Sequence, residues 1–410
     1  MDQNLLFICI DCLRRDFLSE NHSDTPFIDS LLDRGTIYTE LFSTATTTTP
    51  SVASILTGTY SEYNGVNSLR QCGLDPEVST LAELFGDAGF ETAAMATGPL
   101  VEETGIQRGF DHFWYRDKDE LLTNDWHETA VENLESLSEP FALYLHLWEI
   151  HTPIDVPEQF DEPTYGDTPY ARMLSALDRA LESFVNEIPD DTLIVLHGDH
   201  GESLTSRTTA TQTALKRLRD TARYERGIDT RRLERHINRF MDRFAPDFRD
   251  HYLEGGHGET VLDFMSNVPL VLVGSDVESA TVDTQCRQID VLPTLLDYFG
   301  IESSPSLIGE SLLPADSIQD RPAYIRACGA SLRGEANWQR GVRYDGYKYV
   351  EYPNRDWESE LYHFESDPKE LRLVDNKAKC DELKSDFPSQ ELRQVDDIDI
   401  HDRLADLGYL

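Results

Sequence analysis

The segment "TLIVLHGDHGES", Thr192–Ser203, decides the reading of the fold. Its first half is a short, unbroken apolar run of the kind that forms a strand buried on both faces. Its second half packs Asp199, His200 and Glu202 between glycines directly after that run. In an open α/β sheet, ligands collect at the carboxyl ends of the strands, so a strand ending in these side chains points to that architecture.

Working outward, "NLLFICI" (4–10), "FALYLHLW" (141–148) and "VPLVLVG" (268–274) read as further buried strands. Between them, "TPFIDSLLDRG" (25–35), "STLAELFGDAG" (79–89), "YARMLSALDRALESFVNEI" (170–188) and "DVLPTLLDYFG" (290–300) carry helical spacing. The alternation predicts an α/β/α sandwich with a mostly parallel central sheet. From about residue 320 the pattern changes to hairpins, "GVRYDGYKYVEY" and "SELYHF", and then to short polar helices. Residues 1–320 are therefore read as the catalytic domain and 321–410 as a smaller C-terminal α+β subdomain.

Composition excludes several classes. The 76 acidic and 36 basic residues of the 410-residue chain give a formal net charge of −40, which argues against a general nucleic-acid or anionic-membrane binder. Such a balance resembles proteins of organisms that hold molar salt in the cytoplasm, where the Debye length falls to roughly 3 Å. A hydrophobic content of 39% excludes an acidic disordered chain. Of the six cysteines only Cys9 and Cys12 stand at CxxC spacing, with no second pair to complete a zinc cluster or a disulfide frame, which suggests a reducing compartment. No apolar run approaches the roughly 20 residues needed to span a bilayer, and "NLLFICI" is too short for a leader. A soluble, cytoplasmic protein is expected.

One segment runs against the acidic background. Residues 206–250 hold eleven arginines and Lys216, with Leu233, Ile237, Phe240, Met241, Phe244 and Phe248 on one helical stripe. Amphipathic helices are predicted there. They form either a cover with a solvated charged face, or a lid or homo-oligomer contact that draws an anionic substrate to the entrance.

Chemistry-bearing side chains follow three of the predicted strands: Asp11, then Glu149 and His151, then Asp199 and His200. Two carboxylates and an imidazole brought to one sheet edge suit a divalent ion such as Mn²⁺, Ca²⁺, Mg²⁺ or Zn²⁺. Each residue taken alone reads equally well as a loop residue capping a helix. In "TTTTPSVASILTG" (46–58), Pro50 suits the first helical position, making Thr49 the N-cap and leaving Thr48 just outside the helix mouth. A hydroxyl at such an anion-attracting end, beside a metal, has the setting of a nucleophile; the alternative is that all four threonines only cap. His146 alternates with Tyr144 and Trp148 and reads as a packed core histidine.

These segments, in this order, resemble the sulfatase family of the alkaline-phosphatase superfamily. "NLLFICIDCLRRDFL" is similar to the family's opening strand and metal aspartate, and "TTPSVASILTGTYSEYNGV" to its active-site signature. "LAELFGDAGFETAA", "RGFDHF", "HLWEIHTP", "HGDHGES", "GGHGETVLDFMSNVPLVLVG", "VRYDGYKYV", "ELYHFESDPKE" and the closing "DRLADLGYL" continue it. The resemblance implies an alkaline-phosphatase-like fold with one divalent metal held by Asp11, Thr48, Asp199 and His200. It also implies Thr48 as nucleophile and His151 and His257 near the transferred group or leaving oxygen. Glu149, His151 and His257 would supply a second metal site if there is one, and Arg14, Asn64 and Thr97 would contact substrate.

The pattern also breaks. Sulfatases oxidise a cysteine or serine at the nucleophile position to formylglycine, whereas oxidised Thr48 would be a ketone, so no formylglycine is expected. Val52 stands where the signature has arginine, Thr97-Gly98 replaces a Gly-Lys pair, and Cys12 occupies the place of a second metal aspartate. The expected activity is cleavage of an anionic ester, a phosphoester first, on a small molecule, glycan or lipid headgroup. The alternatives are sulfate-ester hydrolysis by unmodified Thr48, or a family member that binds an anion without turnover.

Overall fold

A computed structural model describes residues 3–18, 22–204, 210–244, 250–328, 335–390 and 392. Phe248, Arg207 and the closing "DRLADLGYL" lie outside the described residues. Nine strands form the larger sheet: β1 (Asn4–Ile10), β2 (Thr36–Phe42), β3 (Glu91–Ala96), β4 (His112–Tyr115), β5 (Phe141–Leu147), β6 (Thr192–Gly198), β7 (Asn267–Val273), β8 (Ala280–Val282) and β9 (Cys286–Arg287). Their order is β4-β3-β5-β1-β6-β7-β2-β8, with β9 also paired to β2. The sheet is parallel except where β7 runs against β6 and β2.

Both faces of β1 are covered, which explains its unbroken apolar run. Leu6, Ile8 and Ile10 pack on one side with helices α1 (Pro26–Arg34), α5 (Trp126–Glu135) and α6 (Pro169–Val185). Leu5, Phe7 and Cys9 pack on the other with α2 (Thr48–Thr57), α4 (Leu81–Asp87) and α10 (Val291–Phe299). A short helix α3 (Ser61–Asn64) follows α2, and α9 (Asp263–Ser266) precedes β7. The result is the expected α/β/α sandwich.

The second sheet is antiparallel, β10 (Ala323–Ala327), β11 (Gln339–Tyr344), β12 (Tyr347–Glu351) and β13 (Glu360–His363), followed by α11 (Lys377–Lys384). It shares apolar clusters with the first part of the chain. Ile325 and Val350 pack with Phe42 and Phe264, and Tyr324 and Tyr349 with Tyr60 and Ile289. Lys348, fully buried in the β11–β12 hairpin, donates to the Val261 carbonyl at 3.0 Å and pairs with Asp263 and Glu370.

The basic segment follows the expected polarity only in part: Arg217, Arg226, Arg232, Arg239 and Arg243 are exposed, but so is much of the apolar stripe. Helices α7 (Ala210–Asp220) and α8 (Arg231–Met241) flank a π-helical turn, Thr221–Glu225. Leu218, Leu233, Phe240 and Phe244 are 68, 64, 61 and 70% exposed, while Arg219, Arg223 and Arg231 are buried. The surface beneath is acidic, so arginine is the side chain that can be buried against it. Arg219 reaches Glu254 at 3.1 Å, Glu234 at 3.2 Å and Glu259 at 3.0 Å, and Arg223 meets Glu234 at 2.9 Å. Arg231 pairs with Asp229 at 2.7 Å and lies over the Tyr352 and Trp357 rings. Neither a solvated arginine face nor arginines turned to the entrance describes these three residues.

Candidate active site

The order β5-β1-β6 places three functional strand ends side by side. Ile10 is level with Leu147 on one side and Gly198 on the other, so the residues that follow each strand meet. Asp11, Asp199 and His200 are fully buried, and one ligand atom from each lies within 4.8 Å of the others. Thr48 joins them from α2, its Oγ1 2.9 Å from Asp11 Oδ2 and 3.2 Å from His200 Nε2.

The helix start differs from the expectation. Thr47 takes the N-cap position, Thr48 is the first helical residue and Pro50 the third. Proline is tolerated anywhere in this turn because the first four helical N–H groups have no intrahelical acceptor. Thr48 therefore belongs to the helix mouth itself. Gln288 and Ser51, which the sequence reading did not select, fix that mouth against β6. Gln288 accepts from the Thr44 amide at 3.0 Å and the Ser51 hydroxyl at 2.9 Å, and donates to the Asp199 carbonyl at 2.8 Å. Ser51 Oγ also lies 2.6 Å from the same carbonyl, so its single proton is shared between the two acceptors.

The donor set fits a cation. Asp199 Oδ1 accepts from the Cys12 and His200 amides at 3.0 and 2.7 Å, whereas its Oδ2, fully buried, has no hydrogen-bond partner among the described residues. Burial pushes this carboxyl up to about 7. Burial, then the neighbouring Asp199, also raises Asp11 well above the usual carboxylate range. Among the described residues no lysine or arginine pairs with either. His200 Nδ1 lies 2.9 Å from the Gly201 carbonyl, which only accepts, so Nδ1 carries the proton and Nε2 keeps a lone pair. Burial, and then His257, holds the imidazole neutral with its pKa lowered to about 3.

Two further histidines line the same space. His257, between Gly256 and Gly258 in the left-handed region, has Nδ1 3.6 Å from Glu202 Oε2 and its ring 4.6 Å from that of His200. His151 stacks on Trp148 at 3.7 Å and meets His257 edge-on at 5.2 Å. His146 is close as well, its Nε2 3.8 Å from Asp11 Oδ2 and both ring nitrogens without hydrogen bonds among the described residues. It is buried, as the alternation on β5 implies, but it lies at the site rather than away from it.

Three expected residues are committed elsewhere. Arg14 is fully buried, with Nε and Nη2 on Asp16 at 2.9 and 2.7 Å and Nη1 on the Glu202 carbonyl and Asp250. Four of its five N–H groups are spent there, which commits the side chain to the protein rather than to the expected substrate contact. Asn64 caps its own turn, donating to the Thr59 carbonyl at 3.2 Å and accepting from the Val66 amide at 2.9 Å. Glu149 accepts from Arg116 at 3.2 Å and the Leu122 amide at 2.7 Å, which removes it from a second metal site with His151 and His257. Thr97, just beyond β3, is buried with its hydroxyl unbonded among the described residues, and Trp148 packs against the following Gly98.

A family model described as Sulfatase matches residues 3–301, and one described as N-sulphoglucosamine sulphohydrolase, C-terminal, matches 264–397. Arylsulfatase K of Gallus gallus is 24% identical over 430 residues, covering 90% of this chain and 78% of that protein. Lipoteichoic acid synthase 1 of Bacillus subtilis (strain 168) is 25% identical over 225 residues, 50% of this chain and 29% of that one. The crystal structure of a phosphonate monoester hydrolase of Agrobacterium radiobacter superposes with a TM-score of 0.69 at 18% identity, covering 93% of this chain and 94% of that one. With matched motifs gathered at one sheet edge under a family model spanning most of the chain, this protein belongs to the sulfatase family and is a hydrolase of the alkaline-phosphatase-like superfamily.

Proposed function

We propose that the protein is a metal-dependent hydrolase of anionic esters, phosphoesters foremost, acting through Thr48. One observation carries the reading: the Thr48 hydroxyl stands at the mouth of α2, within hydrogen-bond reach of both Asp11 and His200. A divalent cation held by Asp11, Asp199 and His200 would supply charge neutralisation and lower the pKa of the Thr48 hydroxyl. The free N–H groups of the α2 mouth face the non-bridging oxygens of the bound ester and favour their negative charge. Asp11 Oδ2 holds the Thr48 proton and orients the oxygen for in-line attack. As the Thr48–phosphorus bond forms, the ester oxygen leaves with a proton from His257, with His151 beside it. Water then attacks the same phosphorus and returns a proton to His257, and Thr48 leaves as it takes its own proton back from Asp11.

Phosphorus is favoured because Thr48, left unmodified, cannot become formylglycine, and because similar proteins include one named a phosphonate monoester hydrolase and one a lipoteichoic acid synthase. Sulfate esters are the second reading, favoured by the arylsulfatase and sulphohydrolase matches. The acidic surface suits work in concentrated salt inside the cell; among the described residues, no helix is long and apolar enough to cross a membrane. The test is a panel of aryl phosphate monoesters, phosphodiesters, phosphonates and sulfates, with metal-loaded wild type and Thr48→Ala. Wild type should turn over a phosphoester, and Thr48→Ala should lose roughly 10³-fold or more in kcat. Turnover of sulfates alone would select the second reading, and no turnover of any ester would leave an anion-binding protein.

A further inference from the structure

Cys12 is built into the site in a way the proposed reaction does not use. It follows Asp11 directly and sits at φ +63°, a left-handed conformation that a non-glycine residue adopts at a cost. Its amide donates to Asp199 Oδ1 at 3.0 Å, and its carbonyl accepts from the Tyr170 hydroxyl at 2.7 Å. The backbone is thus clamped on both sides, which fixes where the thiol points. Sγ is fully buried, 2.8 Å from Asp11 Oδ1, 3.8 Å from His257 Nδ1, and 3.9 Å from both His200 Nδ1 and Glu202 Oε2. Donor atoms of Cys12, His200 and His257 lie within 4.8 Å of one another, as do those of Asp11, Cys12 and His151. An independent sign of a cation site is Asp199 Oδ2, which is buried, 3.5 Å from His200 Nε2, and without a hydrogen-bond partner among the described residues.

A thiol has one weak proton to give, and Asp11 already takes it. His200 turns its protonated Nδ1 to the Gly201 carbonyl, but Asp11, His151 and His257 bring more donor atoms to that sulfur than its one proton needs. That set matches the mixed sulfur, nitrogen and oxygen donors that select a borderline-soft ion over a hard one.

Resting on the cation site proposed above, we propose that Cys12 is a metal ligand, so that the site takes a thiophilic divalent ion of the zinc class in preference to Mg²⁺ or Ca²⁺. On binding, the sulfur–metal bond forms as the S–H bond breaks, and the proton passes to Asp11 and on to solvent. No electrons are exchanged.

The test is spectroscopic and independent of turnover. Metal-free protein titrated with Co²⁺ should show visible bands from the bound ion and a near-ultraviolet sulfur-to-metal charge-transfer band. Cys12→Asp should keep the visible bands, lose the charge-transfer band, weaken Zn²⁺ binding by more than about tenfold and improve Ca²⁺ and Mg²⁺ competition against it. On the unaltered protein, Zn²⁺ but not Mg²⁺ should slow alkylation of Cys12, mapped by peptide mass after brief exposure to the reagent. Bound Co²⁺ without a charge-transfer band, or a band that survives in Cys12→Asp, overturns the ligand assignment while leaving the cation site in place. No bound Co²⁺ or Zn²⁺ at all overturns both.

Discussion

At the scale of residues, the site is held by hydrogen bonds that its chemistry does not consume. Gln288 spends its amide on Thr44, Ser51 and the Asp199 carbonyl, and so ties the helix that carries Thr48 to the strand that carries Asp199 and His200. Gln288→Leu should cost about 1–3 kcal/mol, the usual penalty for leaving buried polar partners unmade. Denaturant unfolding reads that loss, and steady-state kinetics should show kcat falling more than KM changes. An unchanged kcat would mean that this bond does not place Thr48. Asp11, Asp199, His200 and Thr48 were legible in the sequence because each directly follows a strand or opens a helix in a recognisable order. Gln288 was not, since a glutamine between an arginine and an isoleucine carries no local signal. Arg14 and Glu149 misled for the opposite reason. Their positions fit the family pattern, but partners distant in sequence, Asp250 and Arg116, take up their charge.

At the scale of elements, the apolar strands and the amphipathic helices around the sheet were legible, because burial on both faces leaves an unbroken run and burial on one leaves a stripe. The α7–α8 insertion was not. Its stripe of leucine and phenylalanine predicts an inward face, yet Glu254 and Glu259 beneath it, with Glu234 of α8 itself, draw Arg219 and Arg223 inward. Periodicity reports that two faces differ; it does not report what lies beneath. The structure predicts an inverted mutational pattern. Arg219→Met leaves several buried carboxylates uncompensated and should destabilise the insertion by about 3–5 kcal/mol. Phe240→Ser, on the exposed face, should stay within about 0.5 kcal/mol. Limited proteolysis across 210–244, alongside thermal melting, distinguishes the two; equal sensitivity of both variants would contradict the packing.

At the scale of the whole molecule, the functional sheet edge concentrates ionisable groups in the interior, and this sets the response to acid. Burial, and then Arg116, lowers His146 to about 3, and burial lowers His197 to about 4, against roughly 6.5 in an unfolded chain. A depressed folded pKa gives stability that is present above the unfolded value and is lost as pH falls toward the folded one. The contribution of these two histidines should therefore decline as pH drops from about 6.5 toward 4, while the raised carboxyls of Asp11 and Asp199 act in the opposite direction. His146→Leu should flatten that decline, because it removes one of the depressed groups, and it breaks no hydrogen bond to the ring among the described residues. Thermal midpoints of the two proteins across this range check it, and parallel curves would contradict it. The −40 charge, by contrast, was fully legible in the sequence and bears on solubility and partners rather than on fold.

The most direct test of the central claim is mass analysis of wild-type protein quenched in acid during turnover of an aryl phosphoester. A covalent phosphoryl group on the peptide containing Thr48, absent from Thr48→Ala, is the predicted result. Undiminished turnover by Thr48→Ala, with no adduct on that peptide in either protein, would contradict it.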